Sequence, residues 1–317
     1  KFNLNNYFTS DSQLVNIINQ NPIQNLALHI KDLDGKPINL TDNWIESKKP
    51  SRSTIQEQDV LEYKLEVFDN VFIKKEFSFN PENYSIGINI DFDNIKDLIY
   101  RDVELSWNGG LSPSEKDIKD DQTYFKSYLY LGDELGELKT KQGKQDKNSY
   151  NGIINWGAIR TKYFVSSIIP KDPNNVRSGT LSGSNDSLEI YNISFTFDCY
   201  SGSDFLLYLG PLEYEKIKDL GVNLDIIMDF GWSFIRPVSK GVLFTLKRMH
   251  EYIPNYGVVL IVFSFLVKIL VFPLTKKSYQ STSAMQQIQP QVNALRDKYK
   301  NDPQKMNQAT MKLYKEK

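Results

Sequence analysis

The sequence predicts a mainly β protein in which a large antiparallel β-sandwich is followed by helices. Apolar and polar residues alternate with a period of two through much of residues 1–226, and clusters of Asn, Asp, Gly and Pro separate these runs. The 317 residues allow about two domains. A content of 40% hydrophobic and 24% charged residues is that of a folded protein, which excludes a disordered chain or a coiled-coil rod.

Four runs show the strand pattern, with an apolar residue at every second position. The two longest extend from Tyr84 to Phe92 and from Tyr191 to Cys199, and shorter ones cover residues 63–67 and 103–107. One apolar face and one polar face is the pattern of a strand that is buried on one side. Many short strands of this kind are typical of a sandwich, which we expect to occupy residues 1–226.

The connections between strands also have sequence signals. Asn-Pro-Glu-Asn at residues 80–83 separates Phe79 from Tyr84, and such a break between two apolar runs predicts a β-hairpin. Residues 132–151 are rich in Gly, Lys and Asp, and we predict an exposed loop there. After the last strands, residues 211–220 are predicted to form a short helix.

Residues 227–252 are predicted to form a connector and an amphipathic helix from Trp232 to Met249. Apolar residues recur there mostly at spacings of three and four, with basic residues between them. The residues expected to face acyl chains are Trp232, Phe234, Val238 and Leu246. The residues expected to reach lipid headgroups are Arg236, Lys240, Lys247 and Arg248. A helix that packs on the sandwich instead is the alternative.

A transmembrane helix is predicted over residues 256–275. Its core, Gly257 to Leu274, contains one charged residue, Lys268. Eighteen helical residues span ~27 Å, close to the ~30 Å of a hydrocarbon core. A buried helix of a soluble protein is the alternative, but the run is apolar on every side.

The charge is distributed unevenly along the chain. Residues 1–228 contain 24 Lys and Arg against 34 Asp and Glu, whereas residues 229–317 contain 14 against 5. Lys276 and Lys277 follow the apolar run directly, and positive charge beside a membrane helix marks its cytoplasmic end. The sandwich is therefore expected outside the cytoplasm, and the basic segment could bind phosphates of lipid or nucleic acid.

A cytoplasmic helical hairpin is predicted over residues 276–317. Asn301-Asp302-Pro303 should end one helix and start the next, with Asp302 as the N-cap. Apolar residues at spacings of three and four predict the seam between the helices. This seam consists of Met285, Ile288, Val292 and Leu295 in the first helix and Met306 and Leu313 in the second.

Residues for catalysis or metal binding are scarce. The chain has one cysteine, Cys199, and two histidines, His29 and His250, so we predict no disulfide, no catalytic residues, no metal site and no cofactor. The segment from Gly136 to Lys144 does not have the spacing of a phosphate-binding loop. We therefore predict that the protein is not an enzyme.

Several segments resemble the YidC membrane protein insertases. The run YLGPLEYEKIKDLGVNLDIIMDFGWSFIRPVSKG from Tyr208 resembles the end of their periplasmic domain, and SFLVKILVFPLTKKSY resembles their second transmembrane helix. The segment NWGAIRTKYFVSSIIP resembles a core part of the periplasmic domain. The segment from Met285 resembles the first cytoplasmic loop, a helical hairpin in the family.

The resemblance implies a periplasmic β-sandwich of galactose-mutarotase-like shape, anchored in the bacterial inner membrane with residues 1–226 in the periplasm. It implies a protein that inserts and folds inner-membrane proteins, alone or with the Sec translocon. The expected partners are nascent membrane proteins, the Sec translocon, the ribosome through the cytoplasmic region, and the lipid bilayer, with no small-molecule substrate. Because family members have five core transmembrane helices, we expect this chain to be a fragment that is not competent by itself.

Lys268 is the candidate functional residue of the membrane helix. Family members commonly have an arginine in this helix, in a hydrophilic groove that is open to the cytoplasm and lipid. Lysine keeps the positive charge but lacks the planar fork of donors that binds a carboxylate with two bonds. Ser264, one turn earlier, is expected to add polarity to the same face.

Two other functions are consistent with parts of the sequence. A membrane-tethered periplasmic sugar-binding or mutarotase-like protein would use carboxylates of the sandwich as acid and base. A single-span receptor or scaffold would use the basic hairpin. Sugar binding by residues 1–226 would favour the first, and further apolar spans in the parent gene would favour the insertase.

Overall fold

The computed structural model describes most of the chain and divides it into two compact units, Lys1–Met228 and Asp229–Lys317. The first unit is built mainly from strands and the second from helices. The described ranges are residues 3–18, 25–40, 44–48, 58–80, 83–186, 188–200, 203–228, 235–300 and 302–316.

Within the described ranges, the first unit contains strands β1 to β17 and two short helices. The strands are β1 (Asn3–Phe8), β2 (Leu14–Asn16), β3 (Ala27–Lys31), β4 (Pro37–Ile38), β5 (Ile45–Lys48), β6 (Asp59–Phe68), β7 (Val71–Phe79), β8 (Ser85–Asp91), β9 (Asp102–Trp107), β10 (Lys126–Leu131), β11 (Glu134–Leu138), β12 (Gln145–Asn151), β13 (Ile154–Arg160), β14 (Phe164–Pro170), β15 (Val176–Asn185), β16 (Glu189–Asp198) and β17 (Asp204–Pro211). The helices are α1 (Ile118–Gln122) and α2 (Tyr214–Lys218), with single 3-10 turns at Pro173–Asn175 and Leu224–Ile227.

The strands form two large antiparallel sheets and one small one. The nine-stranded sheet has the order β11-β10-β13-β14-β17-β8-β7-β6-β5, and the six-stranded sheet has the order β12-β15-β16-β9-β3-β4. β1 and β2 pair separately. Neighbouring strands pair antiparallel, as β13 does with β14 and β16 with β9. The predicted mainly β, antiparallel sandwich is confirmed.

The runs with a period of two form strands that face the core between the sheets. In β8, Ile86, Ile88 and Ile90 are buried and Asn89 is exposed. In β16, every apolar position from Tyr191 to Phe197 is buried. β7 and β8 form the predicted hairpin, in which Phe79 pairs with Ile86.

The two sheets approach closely where β13 crosses β16. A Cβ atom placed on Gly157 would lie 2.8 Å from Cζ of Phe195 and 3.1 Å from a methyl carbon of Leu129. A real Cβ does not fit at 2.8 Å from an aromatic carbon, so only glycine allows this packing. Gly157 therefore sets the distance between the sheets at this point.

The nine-stranded sheet also buries part of its other face. α2 and the 3-10 turn Leu224–Ile227 contribute Ile217, Leu224 and Ile227 to a second apolar cluster. Trp156 is fully buried in this cluster, and its Nε1 donates to the carbonyl of Val222 at 2.8 Å. The middle strands of the sheet are therefore covered on both faces, and every residue of β14 is buried.

The prediction of a loop at residues 132–151 is wrong. The segment contains β11 and β12, which are edge strands of the nine- and six-stranded sheets, respectively. Gly132, with φ of 56°, forms the turn from β10 into β11, and most side chains of β12 are exposed. An edge strand has a single strand partner and tolerates charged, exposed side chains, so its composition resembles that of a loop.

Asp198 is buried at the end of β16 and connects two surface arginines. It accepts bonds from Nε of Arg101 at 2.5 Å, Nη2 of Arg177 at 2.7 Å and the amide of Tyr200 at 2.9 Å. Burial by itself raises the pKa of Asp198, but the Tyr200 amide and the two guanidinium groups outweigh it and hold the pKa below its usual 3.8. The carboxylate is therefore charged at neutral pH.

We expect Asp198→Asn to lower the free energy of unfolding by about 2 kcal/mol at pH 7, since bonds between charged groups are lost. A carboxylate with a lowered folded-state pKa stabilises the fold above its unfolded pKa and loses this effect as the pH falls through the folded value. The difference between variant and wild type should therefore shrink below about pH 4. Urea unfolding at pH 7 and pH 3 measures it, and a difference that is independent of pH would contradict the assignment.

The second unit contains helices α3 (Arg236–Tyr252), α4 (Tyr256–Lys298) and α5 (Pro303–Glu316). Residues 231–234, including Trp232 and Phe234, lie outside the described residues, and α3 extends to Tyr252 rather than to Met249.

α4 is longer than the predicted transmembrane helix. The prediction separates residues 256–275 from residues 276–317, whereas α4 is one continuous helix of 43 residues that passes through this boundary. Residues 276–298 contain no glycine, and the helix continues through them although Pro290 lies inside it.

Candidate functional site

The first half of α4 exposes apolar side chains in all directions. Among the described residues, α4 is the one helix long and apolar enough to cross a membrane. Side chains at successive positions, such as Phe265, Leu266 and Val267, are exposed, and Ile269 is 75% exposed. An apolar surface of this extent is unstable in water and requires lipid or protein around it.

Lys268 is the one charged residue within the apolar run of α4. Its side chain is exposed, and the side chain of Ser264, four residues earlier on the same face, is exposed too. The Ser264 hydroxyl donates to the carbonyl of Leu260 at 2.7 Å. Its oxygen therefore remains available only as an acceptor, for water or for an ammonium group.

Two further hydroxyls along α4 bond to its own backbone. Oγ1 of Thr275 donates to the carbonyl of Val271 at 3.0 Å, and Oγ1 of Thr282 donates to that of Ser278 at 2.9 Å. In a medium without water, such bonds satisfy the hydroxyl proton within the helix. Pro273 and Pro290 lie inside α4 without ending it, although each lacks the N–H of a helical bond.

α3 has an apolar side and a basic side, as the sequence predicts, although Phe244, which is 66% exposed, lies among the basic residues. Val238, Val242, Leu246 and Met249 follow one another at spacings of four, four and three, and Val238 is 64% exposed. Arg236, Lys240 and Lys247 lie on the other side of the helix by the same periodicity. Arg248 lies at the side and pairs with Glu251 at 2.6 Å. The helix thus has the residue arrangement of a surface-lying membrane helix.

A tight elbow joins α3 to α4. The ring of His250 stacks on Tyr256, with 3.6 Å between ring centroids. Nδ1 of His250 donates to the carbonyl of Ile253 at 3.1 Å, and Oδ1 of Asn255 caps α4 by accepting from the amide of Gly257 at 2.8 Å. This elbow is not among the predicted elements, although Pro254-Asn255 between two helical patterns is a signal for it.

The end of α4 packs against α5 as a short hairpin. Ile288 is buried, and Val292, Leu295, Met306 and Leu313 are half-buried along the contact. Met285 is 47% exposed and lies outside this packing, unlike the other five predicted seam residues.

Asp302 caps α5, as its position before Pro303 predicts. Its Oδ1 accepts from the amide of Lys305 at 3.1 Å. This backbone bond and the Lys305 ammonium hold the pKa of Asp302 below its usual value. The carboxylate is therefore charged at neutral pH and stabilises the start of the helix.

Candidate metal ligands do not cluster in the described ranges. No group of three or more His, Cys, Asp or Glu is arranged there to hold a metal ion. The side chains that distinguish the second unit are therefore a lysine in an apolar helix, basic residues on an amphipathic helix and an apolar hairpin seam. These groups attract anions and lipids and pack against other helices.

Two family models match the chain. Residues 1–238 match the model described as the YidC periplasmic domain. Residues 248–317 match the model described as 60Kd inner membrane protein. Together they cover the sandwich, the two ends of α3, α4 and α5, and residues 239–247 of α3 lie outside both matches.

Curated relatives carry the name membrane protein insertase YidC. The protein from Prosthecochloris aestuarii is 30% identical over 99% of this chain and 56% of its own length. The protein from Chlorobaculum tepidum is 31% identical over 95% of this chain and 53% of its own length. The chain thus spans about half the length of the curated relatives it matches.

Solved structures give a much weaker likeness. The galactosidase domain of an alpha-galactosidase–sucrose kinase is 10% identical, with a TM-score of 0.33 over 63% of this chain and 32% of that chain. A likeness of this size supports no conclusion about function.

The match of one family model to residues 1–238 covers more than half of the sequence. The chain therefore belongs to the YidC family of membrane protein insertases.

Proposed function

We propose that the protein containing this chain inserts and folds inner-membrane proteins, alone or with the Sec translocon. The observation that carries the proposal is Lys268, the single charged residue in the hydrophobic run from Gly257 to Leu274. A lysine near the centre of a membrane helix costs ~2.5–3.5 kcal/mol on insertion scales, so such a residue normally faces water or protein. In an insertase, it would face a hydrophilic groove closed by the other membrane helices.

The charge would act on the polar part of an incoming chain. Acidic residues of a segment that leaves the cytoplasm would be attracted to the Lys268 ammonium, and this attraction is stronger in a low-dielectric groove than in water. The oxygen of Ser264 would hold water or the ammonium on the same face. The apolar part of the segment could then move sideways into lipid.

Lys268 also lies about 9 Å along the helix axis from Leu274. A lysine side chain could bridge that distance to the cytoplasmic headgroups, in which case the charge would be an anchor only. This alternative predicts that Lys268→Ala and Lys268→Glu insert an acidic substrate as well as wild type does.

We propose the following orientation. The sandwich, residues 1–226, lies in the periplasm, and α3 lies at the membrane–water interface on the periplasmic side. Residues 256–275 cross the membrane, and residues 276–317 lie in the cytoplasm. Lys276 and Lys277, directly after the apolar run, support this orientation through the positive-inside rule. The hairpin would recruit a ribosome or a nascent chain, because residues 275–317 contain nine Lys and Arg against three Asp and Glu.

The position of α3 can be tested with spin labels. A label at position 242 lies on the apolar side of α3 and a label at 240 on its basic side. We expect the 242 label to be several-fold more accessible to a lipid-soluble quencher in liposomes, and the 240 label to be more accessible to a water-soluble one. Equal accessibility would mean that α3 packs on protein instead.

The function is tested with the full-length protein in liposomes. A newly synthesised single-span membrane protein should become protected from protease only when the full-length protein is present, with empty liposomes as the control. Protease added to spheroplasts should cleave the sandwich and spare the hairpin. No gain of protection over empty liposomes, together with binding or turnover of a sugar, would overturn the proposal.

A further inference from the structure

Lys75, on β7, is a buried charged residue of the sandwich. Its side chain is 7% exposed, and among the described residues it forms no ion pair with a carboxylate. Nζ donates to the carbonyl of Leu26 at 2.7 Å and lies 4.8 Å from the ring centroid of Trp44. Burial lowers the pKa of Lys75 to about 7. The charged form of a buried amine without a counterion is destabilising unless another group compensates for it.

The backbone beside Lys75 has an unusual conformation. Leu26 has φ of 55°, in the left-handed region that a bulky side chain rarely adopts. Its carbonyl uses one of the three ammonium donors of Lys75, so two remain. Backbone strain of this kind is concentrated at ligand sites, where the surrounding structure holds it in place.

Asn25 is a second unsatisfied polar group at the same place. The oxygen and the nitrogen of its side-chain amide are both buried and have no hydrogen-bond partner in the described part of the chain. Such groups are rare because each one loses its hydrogen bonds to water. Lys75 and Asn25 together therefore offer several N–H donors without acceptors.

Both residues line one cavity of about 340 Å³, whose apolar walls include Trp44, Tyr63 and Phe77. Tyr63 and Phe77 pack edge to face with 6.2 Å between ring centroids. Cavities of this size bind small ligands in other proteins, usually with aromatic walls and a few polar groups. His29 also lines the cavity, but its side chain is exposed and its Nε2 bonds with Oγ of Ser106 at 3.0 Å.

We propose that this cavity binds a small carboxylate with an aromatic or aliphatic body. The carboxylate would accept hydrogen bonds from the Lys75 ammonium and the Asn25 amide, and the body would lie between Trp44, Tyr63 and Phe77. One ammonium and one neutral amide match a single negative charge better than the double charge of a phosphate ester. This site is independent of the proposed insertase function.

The test uses the full 317-residue chain in lipid nanodiscs and titration calorimetry. We expect 3-phenylpropionate to bind, and 3-phenylpropanol, which has the same body without the charge, to bind at least ten-fold more weakly. N-acetylphenylalanine distinguishes two sources of the carboxylate. If it binds too, the ligand is a peptide carboxyl terminus. If it does not bind, the ligand is a free acid. Equal binding of the acid and the alcohol, or no binding of the acid, would overturn the proposal.

Lys75→Met keeps the apolar stem and removes the charge, so it should weaken 3-phenylpropionate binding at least ten-fold while the sandwich stays folded. Asn25→Ala should weaken it in the same direction and provides a second variant. Lys74→Met is the matched control, because Lys74 points to the opposite face of β7, with Nζ 3.6 Å from Asp91, and should bind like wild type. Unchanged binding in both Lys75→Met and Asn25→Ala would exclude this cavity as the site.

Discussion

Lys268→Glu in the full-length protein is expected to reduce insertion of a substrate with an acidic outer tail at least ten-fold. The variant replaces attraction by repulsion at the one charged position of the apolar run, and a change of ~1.4 kcal/mol already corresponds to a factor of ten. Lys268→Arg keeps the charge and should insert the substrate normally, whereas Lys268→Ala should have an intermediate effect. The measurement is the protease-protected fraction of the substrate in liposomes.

A substrate with reversed charge separates attraction from a general defect. When the acidic residues of the tail are replaced by lysines, Lys268→Glu should insert it better than wild type does. Such a reciprocal effect identifies a direct interaction, as in a double-mutant cycle. If Lys268→Ala and Lys268→Glu both insert the acidic substrate as well as wild type, Lys268 is only a headgroup anchor.

Lys268 could be identified from the sequence because a membrane helix is a long run of apolar residues. One charge among eighteen residues stands out in the sequence without any knowledge of packing. The amphipathic pattern of α3 and the cap at Asp302 could also be predicted, because both depend on the spacing of residues that are close in sequence. The continuity of α4 through residue 275 could not be predicted. The apolar run ends there, but the end of an apolar run does not require the helix to end.

Strands were predictable where one face is buried and the other is not. β8 and β16 follow this pattern, and both were found. β14 is buried at every position because α2 and the turn Leu224–Ile227 cover the second face of its sheet, so it shows no alternation. β12 could not be predicted for the opposite reason. It is an exposed edge strand with polar residues on both faces, so it too shows no alternation.

The Lys75 cavity could not be predicted from the sequence. Lys74, Lys75 and Glu76 follow one another within β7, and such a run of charges resembles an exposed surface. Its burial depends on Leu26 and Trp44, which are distant in sequence and reach it through β3 and the segment before β5. Local patterns carry no information about such contacts.

Trp156→Ala is expected to lower the free energy of unfolding of the sandwich by about 3–5 kcal/mol, the range for truncating a large buried aromatic side chain. Trp156 is fully buried in β13, and its ring stacks on Tyr130 with 5.3 Å between centroids and 19° between planes. Truncation would also remove the donor for the Val222 carbonyl. A loss of this size is a large part of the stability of an ordinary domain.

Trp156→Phe separates the two contributions. Phenylalanine keeps much of the apolar volume against Tyr130 but cannot donate to Val222, so we expect it to lower the free energy of unfolding by only about 1–2 kcal/mol. Both variants should speed hydrogen exchange in the 3-10 turn Leu224–Ile227, because the indole holds that segment on the sheet. Urea unfolding followed by circular dichroism gives the energies. If Trp156→Ala costs no more than Trp156→Phe, the second cluster does not stabilise the sandwich through the indole ring.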